Sequence, residues 1–262
     1  MVWQKYNFYR AIITIEERMN TLIALNSKTH QGLEIDKGKV ESQAGHLHMV
    51  PVVLSEFLKL SLQYPIVITK NQDTGQFSCV ALFGLEKGEN LFFQEGVWDT
   101  LYLPLHVRRQ PFFVAKSEGA DDSFVICIDM GHASLKNEKS NNENIEKLFD
   151  DQGKETGYLT DVKNVLAELF DGEKATQLFI NDLLAINLLQ PMQLQITLEN
   201  KNSMRIEGLY TINEKTLNTL TSDQLFSLHH KNYLHPIYTM ITSIGHIYGL
   251  INKKNKKLAK LN

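Results

Sequence analysis

Trp98, Tyr102, His106, Arg108 and Arg109 carry side chains that together can hold an anion. The two guanidiniums can grip a carboxylate or phosphate through paired N–H donors, and the rings supply an apolar wall, the mixture that ligand sites use. In a helix over residues 97–109 the spacing puts Trp98, Tyr102 and His106 on one face, with Arg109 one three-residue step further. Pro104 bends or ends that helix and leaves the arginines in a turn before the next strand. The same arginines can instead brace loops by pairing with Glu56, Glu89 or Asp129, because structural ion-pair networks also use arginine.

A metal reading starts from His46 and His48. On a strand, residues two apart project from one face, so both imidazoles could reach one ion with Glu56 as a third ligand. The seven residues between His48 and Glu56 exceed the spacing of a cupin metal box, and solvated histidines at a loop end are the competing reading. His229, His230 and His235 match no zinc spacing and read as helix-end residues. Asp150–Glu155 lacks the alternating ligands of a calcium loop and reads as a turn. No G-x-S-x-G, Walker loop or G-x-G-x-x-G occurs, so nothing calls for a nucleotide or other cofactor.

The elements that must position these residues form an α+β pattern. Residues 49–53 suit an edge strand because of Pro51. Residues 55–63 have helical spacing, with Phe57, Leu58, Leu60 and Leu62 apolar. Residues 66–69 and 77–85 read as a hairpin around Asn71–Gly75, and residues 112–115 and 124–128 as two further strands. Such a front half suits a mixed or antiparallel sheet with helices packed on it. Residues 136–144 are the most polar stretch and suggest a linker or subdivision. Behind them, residues 143–148 read as helical and residues 160–189 as an amphipathic helix interrupted near Gly172. Strands at 192–198 and 204–212 form one more hairpin, and helices at 214–220, 222–230 and 236–251 lead to a frayed basic tail.

The 262 residues are 43% hydrophobic and 22% charged, enough apolar material for a sizeable core and too much for a disordered chain. A net charge of -3 gives no general attraction for nucleic acid or anionic lipid, and the lysines of 253–260 do not change that. No segment approaches the roughly 18 apolar residues of a membrane span, and residues 1–20 lack a signal-type apolar run. Cys79 and Cys127 sit in apolar runs and read as buried, reduced thiols. The expectation is a cytoplasmic protein.

Several stretches stand in a distinctive order: Leu25-Asn-Ser-Lys-Thr-His30, Tyr64-Pro-Ile-Val67, Ala81-Leu-Phe-Gly-Leu85, Gly88-Glu-Asn-Leu91, Arg108-Arg-Gln-Pro-Phe112, Cys127-Ile-Asp129 and Gly208-Leu-Tyr210. This ordered set resembles the SapC family of bacterial proteins over roughly residues 19–250. The resemblance implies residues 1–18 as an extension, a SapC-like domain over 19–252 and a tail over 253–262. It also implies a link to the bacterial surface layer or envelope, which an internal location would require a nonstandard export route to reach.

These readings converge on a noncatalytic binding or accessory protein that recognises an acidic small molecule, peptide or protein partner through Trp98, Tyr102, His106, Arg108 and Arg109. The alternatives are a metal-assisted enzyme using His46, His48 and Glu56, or a structural subunit that forms a homo-oligomer.

Overall fold

A computed structural model of the chain describes residues 21–116, 124–136 and 144–260. The expected extension at 1–18, the turn at 118–123 and nearly all of the polar stretch at 136–144 lie outside these residues. The fold is α+β, with antiparallel sheets weighted to the front half and helices to the back. The chain divides into two compact units, Met1–Gly45 with Leu105–Phe170, and His46–Pro104 with Asp171–Asn262.

In the first unit, Leu22–Ala24, Phe124–Asp129 and Phe112–Lys116 form an antiparallel sheet with Phe124–Asp129 at its centre. A second small sheet pairs Leu135–Lys136 and Ile145–Lys147 on either side of Glu34–Asp36. Residues 145–147 are therefore strand, where spacing suggested helix. Three residues are too few for apolar periodicity to separate the two, and the pairing with Glu34–Asp36 decides it. Leu33, Ile35, Phe112, Ile128, Leu148, Leu159, Val162 and Leu166 make the core. The last three recur at helical spacing on Gly157–Ala185. Asp150 closes the turn before this helix by accepting the N–H groups of Gln152 and Lys154, at 2.9 and 2.8 Å, as expected of a turn.

The second unit is built on a five-stranded antiparallel sheet. Its order is Leu189–Thr197, Ser203–Ile212, Ile66–Lys70, Phe77–Leu82, Met49–Pro51. The two proline-containing strands, with Pro51 and Pro191, are the two edges, where a missing N–H costs least. Between Ile66–Lys70 and Phe77–Leu82 the Asn71 carboxamide accepts the N–H groups of Asp73 and Thr74, each at 2.9 Å, and Gly75 adopts a left-handed φ of 70°. That turn chemistry fixes the hairpin register. The core contains fully buried Phe57, Leu60, Tyr64, Phe83, Leu91, Phe179, Met240 and Leu250.

The helix Gly157–Ala185 runs without the interruption expected at Gly172. Glycine is present there because of close approach: a Cβ would lie 2.8 Å from the Val53 side chain. One turn later the Thr176 hydroxyl donates to the Gly172 carbonyl at 2.7 Å and accepts the Leu54 N–H at 3.0 Å. The carboxy-terminal residues also differ from a frayed tail, since a helix continues over His246–Ala259. Its Lys254 is buried, with the ammonium 2.8 Å from Glu86 and 2.7 Å from Glu89. Burial alone would lower that pKa, but the two carboxylates outweigh it and the net shift is upward. Cys79 and Cys127 are buried and unpaired, and burial raises both thiol pKa values. No described helix is long and apolar enough to cross a membrane.

Helix propensity favours alanine over glycine by about 1 kcal/mol, but the contact with Val53 opposes it. Gly172→Ala is expected to destabilise the protein by about 1–3 kcal/mol in urea unfolding, the usual cost of overpacking. A stabilised variant would show that the contact yields freely.

Candidate functional site

The segment expected as one helix over residues 97–109 folds as three pieces. Phe93–Gln94 and Val97–Trp98 form a tight hairpin, because Glu95 and Gly96 both take left-handed φ values, 52° and 84°. Two such residues in succession are the mark of a twist-matched two-residue turn. An irregular stretch follows, and only Leu105–Arg108 is helical. The even spacing of Trp98, Tyr102 and His106 thus does not make a helical face. Trp98 and Tyr102 belong to the second unit, and His106, Arg108 and Arg109 to the first.

In the first unit Arg109 is 5% exposed. Its guanidinium donates to the Phe112 carbonyl at 2.8 Å and to His106 Nδ1 at 3.3 Å, and lies 4.2 Å from the centre of the Phe113 ring. A guanidinium only donates, so Nδ1 must carry a lone pair and the His106 proton sits on Nε2. Burial, and then the Arg109 charge, hold the His106 pKa well below its ordinary value. This arginine braces the turn into Phe112–Lys116. Arg108 is exposed and has no ion-pair partner among the described residues.

In the second unit Trp98 packs edge-on against Phe83, with centroids 5.4 Å apart. The Tyr102 hydroxyl donates to Glu56 Oε1 at 3.2 Å, and Lys59 lies over the Tyr102 ring at 5.3 Å. Glu56 is fully buried, and its other oxygen accepts the Val53 N–H at 3.2 Å. His46 ends a 3-10 turn, Ala44–His46, and His48 precedes the strand Met49–Pro51, so the two do not share a strand face. No group of three or more metal-ligating side chains occurs among the described residues.

A surface site emerges where three segments of the second unit are tied together. Gln63 binds the Asp99 carbonyl at 3.1 Å, the Thr100 hydroxyl at 2.9 Å and the Leu101 N–H at 2.7 Å. The Tyr64 hydroxyl also meets Thr100 and the Tyr102 carbonyl. His246 Nε2 donates to the Ser61 carbonyl at 2.7 Å, and Lys253 pairs with the Asp99 carboxylate at 2.5 Å. Around this junction Leu58, Leu62, Leu101 and Tyr248 are 61%, 61%, 78% and 78% exposed.

The model of one protein family, SapC, matches residues 25–250. The chain belongs to the SapC family. No curated protein and no solved structure gives a match. Within this SapC-family chain, the opening stretch of the match is a one-turn helix, Ser27–His30. Asn26 caps it by accepting the Lys28 N–H at 2.8 Å, and His30 folds back to accept the Asn26 N–H at 2.9 Å.

Sequence spacing groups Leu58 and Leu62 with Phe57 and Leu60 as the apolar positions of one helix, whereas only the latter two are buried. Phe57, Leu60 and Tyr64 recur at helical spacing and are buried, which leaves Leu58 and Leu62 on the opposite side. Lys254, part of the basic tail by sequence, falls in step with buried Ile247 and Leu250, a spacing that points it inward.

The two arginines are expected to separate. Arg109→Ala should cost about 2–3 kcal/mol in urea unfolding, the range for losing hydrogen bonds from a charged donor, whereas Arg108→Ala should stay within about 0.5 kcal/mol. His106 is neutral in the fold, so the unfolded chain takes up the proton first as pH falls below 6.5. Stability should therefore fall below that pH, by at most about 1.4 kcal/mol per pH unit from this group. His106→Gln should flatten the slope. An unchanged slope, or equal losses at Arg108 and Arg109, would contradict the assignment.

Proposed function

We propose that this SapC-family chain is a noncatalytic binding or accessory protein that takes an acidic, peptide-like partner. The observation that carries this reading is the exposure of Leu58, Leu62, Leu101 and Tyr248 on three segments that hydrogen bonds tie together. Exposed apolar residues on a firm base are the ordinary mark of a docking surface. Lys59 and Lys256, both exposed, lie on two of the contributing segments, while the Asp99 carboxylate on the third is paired with Lys253. A partner presenting leucine-like side chains flanked by carboxylates complements both features. Arg108, exposed in the first unit, can hold an acidic group on its own account, apart from this surface. The family resemblance adds a surface-layer or envelope setting for such a partner.

Selection from a random peptide library against the purified full chain tests the reading. Enriched peptides are expected to combine Asp or Glu with leucine or aromatic residues. The Leu62→Ser/Leu101→Ser variant should bind them at least about tenfold more weakly, a loss of about 1.4 kcal/mol. Because both side chains are exposed, its unfolding should stay within about 1 kcal/mol of the parent. Basic or unenriched sequences, or binding that the variant leaves intact, would refute the reading. Concentration-dependent self-association abolished by the same variant would reassign the surface to assembly of the chain with itself.

A further inference from the structure

The five-stranded sheet of the second unit opens at one corner. Ser203–Ile212 pairs with Ile66–Lys70 only at Leu209↔Thr69 and Tyr210↔Ile68. Continuing that register would set Gly208 opposite Lys70, but Gly208 takes a left-handed φ of 79° and the ladder stops. A glycine in this conformation turns a strand away from its neighbour, as at a bulge. The parting leaves a cleft of about 340 Å³ lined by Lys70, Asn71, Gln72, Gly75, Gly208 and Tyr210.

The lining carries several donors and one positive charge. Lys70 forms no ion pair among the described residues, and its ammonium lies 5.2 Å from the centre of the Phe77 ring. Asn71 uses its carbonyl oxygen to cap the turn, which leaves its amide N–H groups facing outward from that bond. Gln72 is exposed, and the Tyr210 ring is held edge-on against Phe77 with centroids 5.1 Å apart. No carboxylate lines the cleft, and the nearby Glu207 is engaged by Arg205 at 2.5 Å. An ammonium, two carboxamides and a phenol hydroxyl belong to the residues that line one small space, and all can donate to the acceptors of a carboxylate. The volume lies within the range of small-molecule sites.

We infer that this cleft is a second binding site, for a compact carboxylate such as an acidic side chain or a peptide carboxyl terminus. The site is independent of the apolar surface described above, so either can fail without the other. The test is titration of the full chain with N-acetylglutamate, followed through the backbone amide resonances of Gly75 and Gly208. Both resonances should shift and saturate. N-acetylglutamine, of the same shape without the charge, should bind at least about tenfold more weakly, as expected for loss of one charge-assisted contact. Lys70→Gln and Tyr210→Phe, which keep the ring packing, should each weaken N-acetylglutamate by a similar factor. Absent or nonsaturating shifts, equal binding of N-acetylglutamine, or variants that bind like the parent would overturn the inference.

Discussion

A buried ammonium holds the second unit together. Lys254 projects from the inward face of the carboxy-terminal helix and meets Glu86 and Glu89, with Lys257 a further 3.7 Å from Glu89. Withdrawing a lysine and a glutamate from water costs several kcal/mol per ion unless partners and hydrogen bonds replace the solvent. Here Glu89 also accepts the Leu85 N–H at 3.4 Å, and its backbone carbonyl sits so close to Gly84 that a Cβ there would lie 2.2 Å away. The loop between Phe83 and Leu91 is therefore clamped from the helix side and from its own backbone.

The consequences run along the chain. The clamped loop delivers Leu91 and Phe92 to the aromatic group of Tyr64 and Phe83, with Tyr64 and Phe92 centroids 4.6 Å apart. The neighbouring Lys253 lies over the Phe92 ring and pairs with Asp99. Asp99 begins the segment that Gln63 binds, and that segment carries Leu101. The exposed leucines thus sit on segments tied to one another by partly exposed hydrogen bonds and an ion pair over a buried aromatic group, while their side chains stay in water. Polar contacts set orientation more sharply than apolar packing alone, which suits a surface that must present a fixed pattern to a partner.

Much of the fold was legible in local chemistry. The Asn71–Gly75 turn and its flanking β-branched runs identified their hairpin, and Pro51 identified an edge. The misreadings share a cause: spacing was interpreted without the tertiary contact that overrides it. Two adjacent left-handed residues, Glu95 and Gly96, converted an apparent helical face at Trp98, Tyr102 and His106 into a hairpin and a loop. Gly172 looked like a break until Val53 supplied a reason for a missing Cβ. Lys254 looked like tail because its partners, Glu86 and Glu89, lie far away in sequence. The arginine pair was recognised, but its division into a buried brace and an exposed side chain depends on Phe112 and Phe113, whose positions come from strand pairing.

The most direct measurement is a double-mutant cycle on Lys254→Met and Glu89→Gln, read by urea unfolding of the full chain. If the buried ion pair holds the carboxy-terminal helix to the loop, each single variant should lose about 2–3 kcal/mol, because each leaves a buried charge with only one, more exposed partner, Glu86 for Lys254 and Lys257 for Glu89. The double variant should lose much less than the sum, with a coupling of about 2 kcal/mol. Strictly additive losses, or single variants within about 0.5 kcal/mol of the parent, would show that the helix and loop are held by apolar packing instead.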